Sequence, residues 1–115
     1  MTDAVLLTPA VLTGAYAVIF ISQRTASGQD SYGVTADRMV ELAAQQPGYI
    51  GVRSTRADDG LGITVSYWRS LDDIGHWRRH AEHTLARDHG RAEWYEHYEL
   101  QIAKIERAYD WQRDV

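Results

Sequence analysis

The feature that most constrains the fold is a short strand-forming segment that is apolar on both of its sides. Residues 15–22 form a nearly unbroken run of apolar and β-forming residues, which is typical of a strand covered on both faces. Because side chains alternate along a strand, each face receives three apolar residues: Tyr16, Val18 and Phe20 on one, and Ala17, Ile19 and Ile21 on the other. The fold must therefore supply cover for both sides of this strand.

The periodicities that follow predict five more elements. A helix begins after a cap at Asp30 and ends before Pro47, and strands over 49–56 and 61–68 flank a turn with the Asp-Gly hairpin signal at Gly60. A second helix runs from Ser70 to about His89, with Gly90 as its C-terminal cap, and residues 91–95 add one further turn. The last strand begins near residue 98, and its apolar phase slips near residue 103, as in a strand that either carries a bulge or passes between two environments.

This order predicts an α+β, ferredoxin-like βαββαβ fold, in which a four-stranded antiparallel sheet carries both helices on one face. The other face of the sheet then needs a different cover. A second copy that packs sheet against sheet about a two-fold axis supplies it, so we expect a homodimer. Residues 1–14 are interpreted as a flexible N-terminal leader, and residues 15–115 as one domain.

Composition excludes several classes of function. The formal net charge of −4, with Lys104 as the only lysine, argues against nucleic-acid binding, which needs clustered basic residues. The chain has no cysteine and therefore no disulfide, thiolate metal site or thiol nucleophile. Pro9 interrupts the apolar N-terminal stretch, which lacks a basic segment, so we expect no signal peptide and no membrane span. The cytoplasm is the expected location.

Candidate chemistry is concentrated between residues 67 and 83, where an aromatic strand end meets a helix with three histidines. On a helical wheel the histidines form a polar face beside an apolar stripe, and only His80 lies at the border between the polar face and the stripe. The spacing of His76 and His80 permits metal binding, with His83 one turn further on. A solvated polar helix face also accounts for this pattern, and no cysteine supports a metal centre, so we expect no metal.

Four aromatic residues are candidates for contact with a ligand: Tyr67, Trp77, Trp94 and Tyr95. Aromatic side chains on an apolar stripe usually fill the core. Together with a neighbouring histidine and the polar end of Tyr67, they also suit the wall of a pocket between helix and sheet. No glycine-rich phosphate loop lies between a strand and a helix, so a nucleotide cofactor is not expected.

Several segments together resemble a known family: Tyr16–Phe20, Gln46–Tyr49, Ser66–Ser70, and Trp77 with its histidines up to Tyr95. They are similar to the antibiotic-biosynthesis-monooxygenase superfamily of dimeric α+β barrels, and the resemblance covers about residues 15 to 111. It implies the fold and the dimer predicted above. Members include cofactor-free oxygenases of phenolic and polyketide aromatics, haem-degrading monooxygenases, and proteins without a demonstrated activity, so the fold alone does not select a reaction.

The haem-degrading members carry two tryptophans nine residues apart and an axial histidine ten residues after the second. Trp68 and Trp77 keep the first spacing, but the axial position falls on Arg87. A guanidinium has no lone pair with which to bind iron. The haem reading is therefore disfavoured, and we expect no cofactor.

The resemblance implies a cofactor-independent monooxygenase that acts on a small phenolic or enolic aromatic compound. In this hypothesis His80 is the general base, and His83 or Arg79 supports the developing negative charge. Tyr67, Trp77 and Tyr95 position the ring of the ligand. The alternative is a dimer that binds a small molecule in the same cavity without chemistry.

Overall fold

The structure is a computed structural model that describes residues 7–26, 38–87 and 95–114, with side chains in these ranges except at positions 82–87. It contains α1 (Pro9–Leu12), β1 (Tyr16–Arg24), α2 (38–44 within the described residues), β2 (Tyr49–Arg56), β3 (Leu61–Trp68), α3 (Leu71–Arg87) and β4 (Tyr95–Lys104). No helix among these residues is long and apolar enough to cross a membrane.

The four strands form one antiparallel sheet in the order β2-β3-β1-β4. The predicted ferredoxin-like fold is therefore confirmed, and the predicted bounds of β2 and β3 agree with the structure. The hairpin between them turns at Gly60, whose φ of 94° lies in the left-handed region that glycine tolerates. Asp59 supports this turn because its carboxylate accepts a hydrogen bond from the Leu61 N–H at 3.0 Å.

The last strand differs from its prediction at its start. It begins at Tyr95, where an additional helical turn was expected, and its irregular pairing lies opposite Gln23 and Arg24. The pairing is regular at Ala103, so the phase slip there agrees with a strand between two environments and not with a bulge, the other predicted explanation. Ile102 and Ala103 simply alternate between two faces that both accept apolar side chains, so the change of apolar phase needs no inserted residue.

We call the two sides of the sheet the helix face, to which Tyr16, Val18 and Phe20 of β1 belong, and the outer face, to which Ala17, Ile19 and Ile21 belong. The core on the helix face joins buried residues of the sheet and both helices, namely Val18, Ala43, Trp68 and Ile74. A second core lies on the outer face at one end of the sheet and consists of Leu12, Ala15, Ala17, Ile50 and Tyr67. The sheet thus buries apolar residues on both faces, as the first strand predicts.

The described part of the N-terminal segment is packed, which corrects the expectation of a flexible leader for residues 7–14. Thr8 caps α1 by accepting a hydrogen bond from the Val11 N–H at 3.3 Å, and Pro9 occupies the first turn. Leu12 is buried in the core of the outer face. Ile105 exchanges backbone hydrogen bonds with Gly14 and Ala15, which fixes the segment to the end of β4.

α3 begins as its sequence predicts. The Asp73 N–H donates to the Ser70 hydroxyl at 3.1 Å, and that hydroxyl donates to the Asp73 carboxylate at 2.8 Å, so Ser70 caps one backbone N–H of the first turn and Asp73 holds its hydroxyl in place. The apolar stripe of the helix faces the sheet, with Ile74 only 2% exposed. The cap predicted at Gly90 lies outside the described residues.

Candidate functional site

A stacked pair of tryptophans marks the place where β3 ends and α3 crosses the helix face. Trp68 is fully buried, and its ring stacks on that of Trp77 with centroids 6.1 Å apart and planes 20° apart. Tyr49 meets Trp68 edge-on at 5.6 Å, and the Trp68 indole N–H donates to the Ser66 hydroxyl at 2.9 Å. The ring orientation of Trp68 is therefore held by a hydrogen bond as well as by packing.

The rest of β3 presents small side chains to the helix face. Gly62, Thr64 and Ser66 share that face with Trp68, whereas Leu61, Ile63, Val65 and Tyr67 lie on the outer face. This is the reverse of the usual arrangement, in which a strand turns its large apolar residues toward the helices that cover it. The small residues occupy little volume beneath the helices and supply hydroxyl groups instead.

Other hydroxyl groups extend this polar strip across neighbouring strands. Ser22 of β1 is only 1% exposed, and the Arg56 guanidinium donates to its hydroxyl at 3.4 Å. The hydroxyls of Ser54 and Thr64 lie 2.8 Å apart across β2 and β3. We call Ser22, Ser54, Thr64 and Ser66 the hydroxyl strip. Hydroxyl groups are among the polar groups that orient ligands in binding pockets.

A second aromatic cluster lies on the helix face where β1 meets β4. Phe20, Tyr95 and Tyr98 form a mutual trio with ring centroids 5.5 to 5.7 Å apart. Further along β4 on the same face, Leu100 and Ile102 are each 42% exposed. Tyr95, a predicted ligand contact, is thus half-buried in an aromatic group, and its contact with a ligand stays a prediction.

Tyr67 lies on the opposite side of the sheet from Trp77. Its ring is buried with Ala17 and Leu12 in the core of the outer face, and the Arg53 guanidinium lies 5.7 Å from its ring centroid. This placement corrects the expectation that Tyr67 lines a pocket beneath the helix. Trp68, the next residue in the strand, lies beneath the helix instead, because consecutive side chains of a strand point to opposite faces.

The predicted catalytic histidines lie on α3. His76 and His80 are both exposed, with their rings edge-to-face at 5.0 Å, and Arg79 is exposed between them in sequence. The side chain of His83 and the whole of Trp94 lie outside the described residues. The role of His80 as a base stays a prediction. Within the part of the chain that the structure describes, no three His, Asp or Glu side chains come together as metal ligands.

A separate cleft of about 370 Å³ opens at the end of the sheet, between α1 and the start of β2. Its lining combines apolar residues with one cation and one phenol: Val11, Thr13, Gly14, Ala15, Tyr49, Ile50 and Arg69. Burial raises the pKa of the Tyr49 hydroxyl above its usual value, because a low-dielectric environment disfavours the phenolate. Because Tyr49 lines this cleft and also packs against Trp68, the cleft adjoins the tryptophan pair.

Trp68 was a site candidate only through the disfavoured haem spacing, and Phe20 and the hydroxyl strip were not predicted as site residues. A signal was present in β3, where glycine, threonine and serine alternate with leucine, isoleucine and valine. That alternation was used to predict a strand. It also indicates that the small polar residues and the large apolar residues occupy opposite faces.

Comparison with known proteins gives consistent matches. A sequence profile of the family described as antibiotic biosynthesis monooxygenase matches residues 16–89. The uncharacterized protein YqjZ of Bacillus subtilis is 55% identical over 92 residues, which are 80% of this chain and 80% of that protein.

Solved structures with low sequence identity share the fold. The structure of PA3566 from Pseudomonas aeruginosa has a TM-score of 0.65 at 12% identity and covers 81% of this chain and 95% of its own. SnoaB, a cofactor-independent oxygenase from Streptomyces nogalater, has a TM-score of 0.65 at 13% identity and covers 79% of this chain and 92% of its own. At these identities the likeness extends to the fold alone.

Proposed function

Because the chain belongs to the antibiotic biosynthesis monooxygenase family, we propose that it is a cofactor-independent monooxygenase of a small phenolic or enolic aromatic compound. The observation that carries this proposal is the pattern of the helix face, where the hydroxyl strip lies between two aromatic clusters. A flat ligand with oxygen substituents matches that pattern, since its rings pack on aromatic side chains and its oxygens bind hydroxyls.

The reaction is written with dioxygen as the oxidant. A base removes the acidic proton of the phenol or enol, and the resulting anion passes an electron to dioxygen. Recombination of the two radicals forms a carbon–oxygen bond. When the attacked carbon is a methylene group, cleavage of the oxygen–oxygen bond leaves a carbonyl on the product and releases the other oxygen as water. The protein positions the ring and holds the charge, and no redox cofactor is required.

His80 and His83 are the proposed bases, with Trp77, Trp94 and Tyr95 as proposed ring contacts. His80 is exposed in the single chain, so its role requires a ligand that reaches the edge of α3. His83 lies three residues further along the helix, on the neighbouring turn. The two candidates are distinguishable because each can be replaced separately.

Oxygen consumption with a panel of anthrones and hydroquinones tests the proposal. We expect turnover by the native protein without added metal, flavin or haem, and a loss of at least about 100-fold when the acting base is replaced by alanine, which is the lower range of general-base contributions. His97→Ala is the matched control, because His97 is exposed on the outer side of β4. Full turnover by both His80→Ala and His83→Ala would refute these two histidines as the base.

A non-catalytic binding protein is the second candidate. One observation favours it: no histidine with a described side chain contacts the hydroxyl strip. His76 and His80 are exposed, and His97 belongs to the outer face. Binding of the same aromatic compounds without oxygen consumption would support this candidate over the enzyme.

We propose in addition that the functional unit is a homodimer formed through the outer face. Ile63 and Leu61 on this face are 39% and 43% exposed, while Ile19, Ile21 and Val65 are only half-buried. Contiguous apolar surface of this kind is a mark of protein contact. Sedimentation analysis that finds only single chains at micromolar concentration would refute the dimer.

A further inference from the structure

The cleft between α1 and the start of β2 has walls that are held by backbone hydrogen bonds. On one side Gly14 turns the chain after α1 with a φ of 84°, and its N–H donates to the Ile105 carbonyl at 2.8 Å. On the other side the Arg69 N–H donates to the Gly48 carbonyl at 2.8 Å, which ties the end of β3 to the residue before β2. Walls fixed in this way are typical of a binding site that is formed before its ligand arrives.

The start of β2 is irregular, and this irregularity shapes the cleft. Tyr49 pairs with Trp68 and Gly51 pairs with Tyr67, so Ile50 is an extra residue between two adjacent pairs. Ile50 is only 5% exposed and lines the cleft together with Tyr49. Two consecutive residues of one strand therefore border the same space. Bulges of this kind re-aim side chains and are frequent next to active sites.

The lining of the cleft combines one cation with apolar surface. Arg69 is exposed, and within the described residues no hydrogen bond or ion pair engages its guanidinium. The described lining contains no acidic residue, and Val11, Ala15 and Ile50 supply its apolar surface. Burial raises the pKa of the Tyr49 hydroxyl, so this group is neutral at neutral pH and adds no negative charge. The cleft thus presents a single positive charge beside apolar side chains.

This combination selects a class of ligand. A planar guanidinium binds a carboxylate through two parallel hydrogen bonds. One cation balances one negative charge, and the volume of about 370 Å³ is near the lower end of the range for ligand pockets. We propose that the cleft binds a small monocarboxylic acid, whose carboxylate pairs with Arg69 and whose apolar chain packs against Val11 and Ile50.

Much of this cleft lies outside the segment that defines the family. Val11, Thr13, Gly14 and Ala15 all precede residue 16, where the family match begins. The cleft is also separate from the hydroxyl strip, none of whose residues lines it. The carboxylate site is therefore independent of the proposed monooxygenase activity, and either can fail without the other.

Titration of the isotope-labelled native protein with hexanoate at neutral pH, followed by nuclear magnetic resonance, tests the inference. We expect saturable shifts of the backbone amide signals of Gly14, Ile50 and Arg69, with a dissociation constant of about 1 mM or below. Hexanol keeps the apolar chain without the charge, and acetate keeps the charge without the chain. Each should bind at least about tenfold more weakly than hexanoate, because each lacks one of the two contacts.

Two variants separate the contacts. Arg69→Gln should raise the dissociation constant of hexanoate at least about tenfold and leave that of hexanol unchanged. Val11→Trp places a large ring in the cleft and should weaken the binding of both compounds. Arg113→Gln is the matched control, since Arg113 is an exposed arginine that does not line the cleft. Circular dichroism checks that each variant is folded, and the comparison of hexanoate with hexanol needs no variant.

Each outcome decides the inference. Absence of saturable shifts in the native protein would overturn it, as would shifts confined to α3 and the hydroxyl strip. Undiminished binding of hexanoate by Arg69→Gln, or equal binding of hexanoate and hexanol by the native protein, would overturn the carboxylate contact. Hexanoate binding that is weakened in Arg69→Gln and kept in Arg113→Gln, with shifts at the cleft, would establish the site.

Discussion

Replacement of Trp68 by phenylalanine is the most direct test of the packing at the candidate site. Phenylalanine keeps an aromatic ring against Tyr49 and Trp77 but removes the indole N–H that donates to Ser66 at 2.9 Å. The lost hydrogen bond costs about 1 kcal/mol. Because Trp68 is fully buried, the smaller ring also forfeits roughly 40 Å² of buried surface, or about 1 kcal/mol at 25 cal/mol per Å².

The expected loss in the free energy of unfolding is therefore about 2 kcal/mol. Urea titration followed by circular dichroism measures it, and with an ordinary denaturant slope the midpoint falls by about 1 M. Both proteins are compared at one chain concentration, because the proposed dimer would make the apparent stability depend on concentration. Trp111→Phe is the control: Trp111 is 79% exposed, so a change below about 0.5 kcal/mol is expected.

A double-mutant cycle with Ser66→Ala isolates the hydrogen bond. We expect the two changes to be coupled by about 1 kcal/mol, since each removes one partner of the same bond. A loss in the free energy of unfolding below about 0.5 kcal/mol in Trp68→Phe would refute the reasoning that Ser66 holds the indole. Independent effects of the two changes in the cycle would refute it as well.

Three further changes probe the elements that frame the site. Ser70→Ala removes the cap of α3, so unfolding free energy in urea should fall by about 1 kcal/mol; a change within error would show that the cap does not stabilise the helix. Gly48→Ala should cost more than Gly14→Ala, by at least about 1 kcal/mol on the same assay. Both glycines have positive φ, but a Cβ at Gly48 overlaps the Asp73 carboxylate, whereas one at Gly14 meets nothing within 4 Å; equal losses would refute the overlap. Burial raises the pKa of Tyr49, so the folded state favours the neutral phenol. The neutral phenol's contribution to the free energy of unfolding is present below about pH 10 and is lost as the pH rises through the raised pKa. The native urea midpoint should therefore fall more steeply above pH 10 than that of Tyr49→Phe, and parallel curves would contradict this assignment.

Local patterns in the sequence determined much of the backbone. The bounds of β2 and β3 agree with their alternation because the breakers that flank them, Gly48 and Gly60, adopt conformations that glycine alone tolerates well. The order of elements then selected the ferredoxin-like sheet. The resemblance to the monooxygenase family rested on short aromatic segments, and the profile match over residues 16–89 confirms it.

The sequence by itself determined which residues share a face of each strand and placed helices at α2 and α3, because alternation and helical period are properties of the local chain. Only the tertiary structure decided which face receives the helices. Tyr67 and Trp68 are both aromatic and adjacent, yet β3 turns one to the outer face and the other beneath α3. Both faces of the sheet accept apolar residues, so hydrophobic pattern alone could not rank them, and contacts between distant segments made the choice.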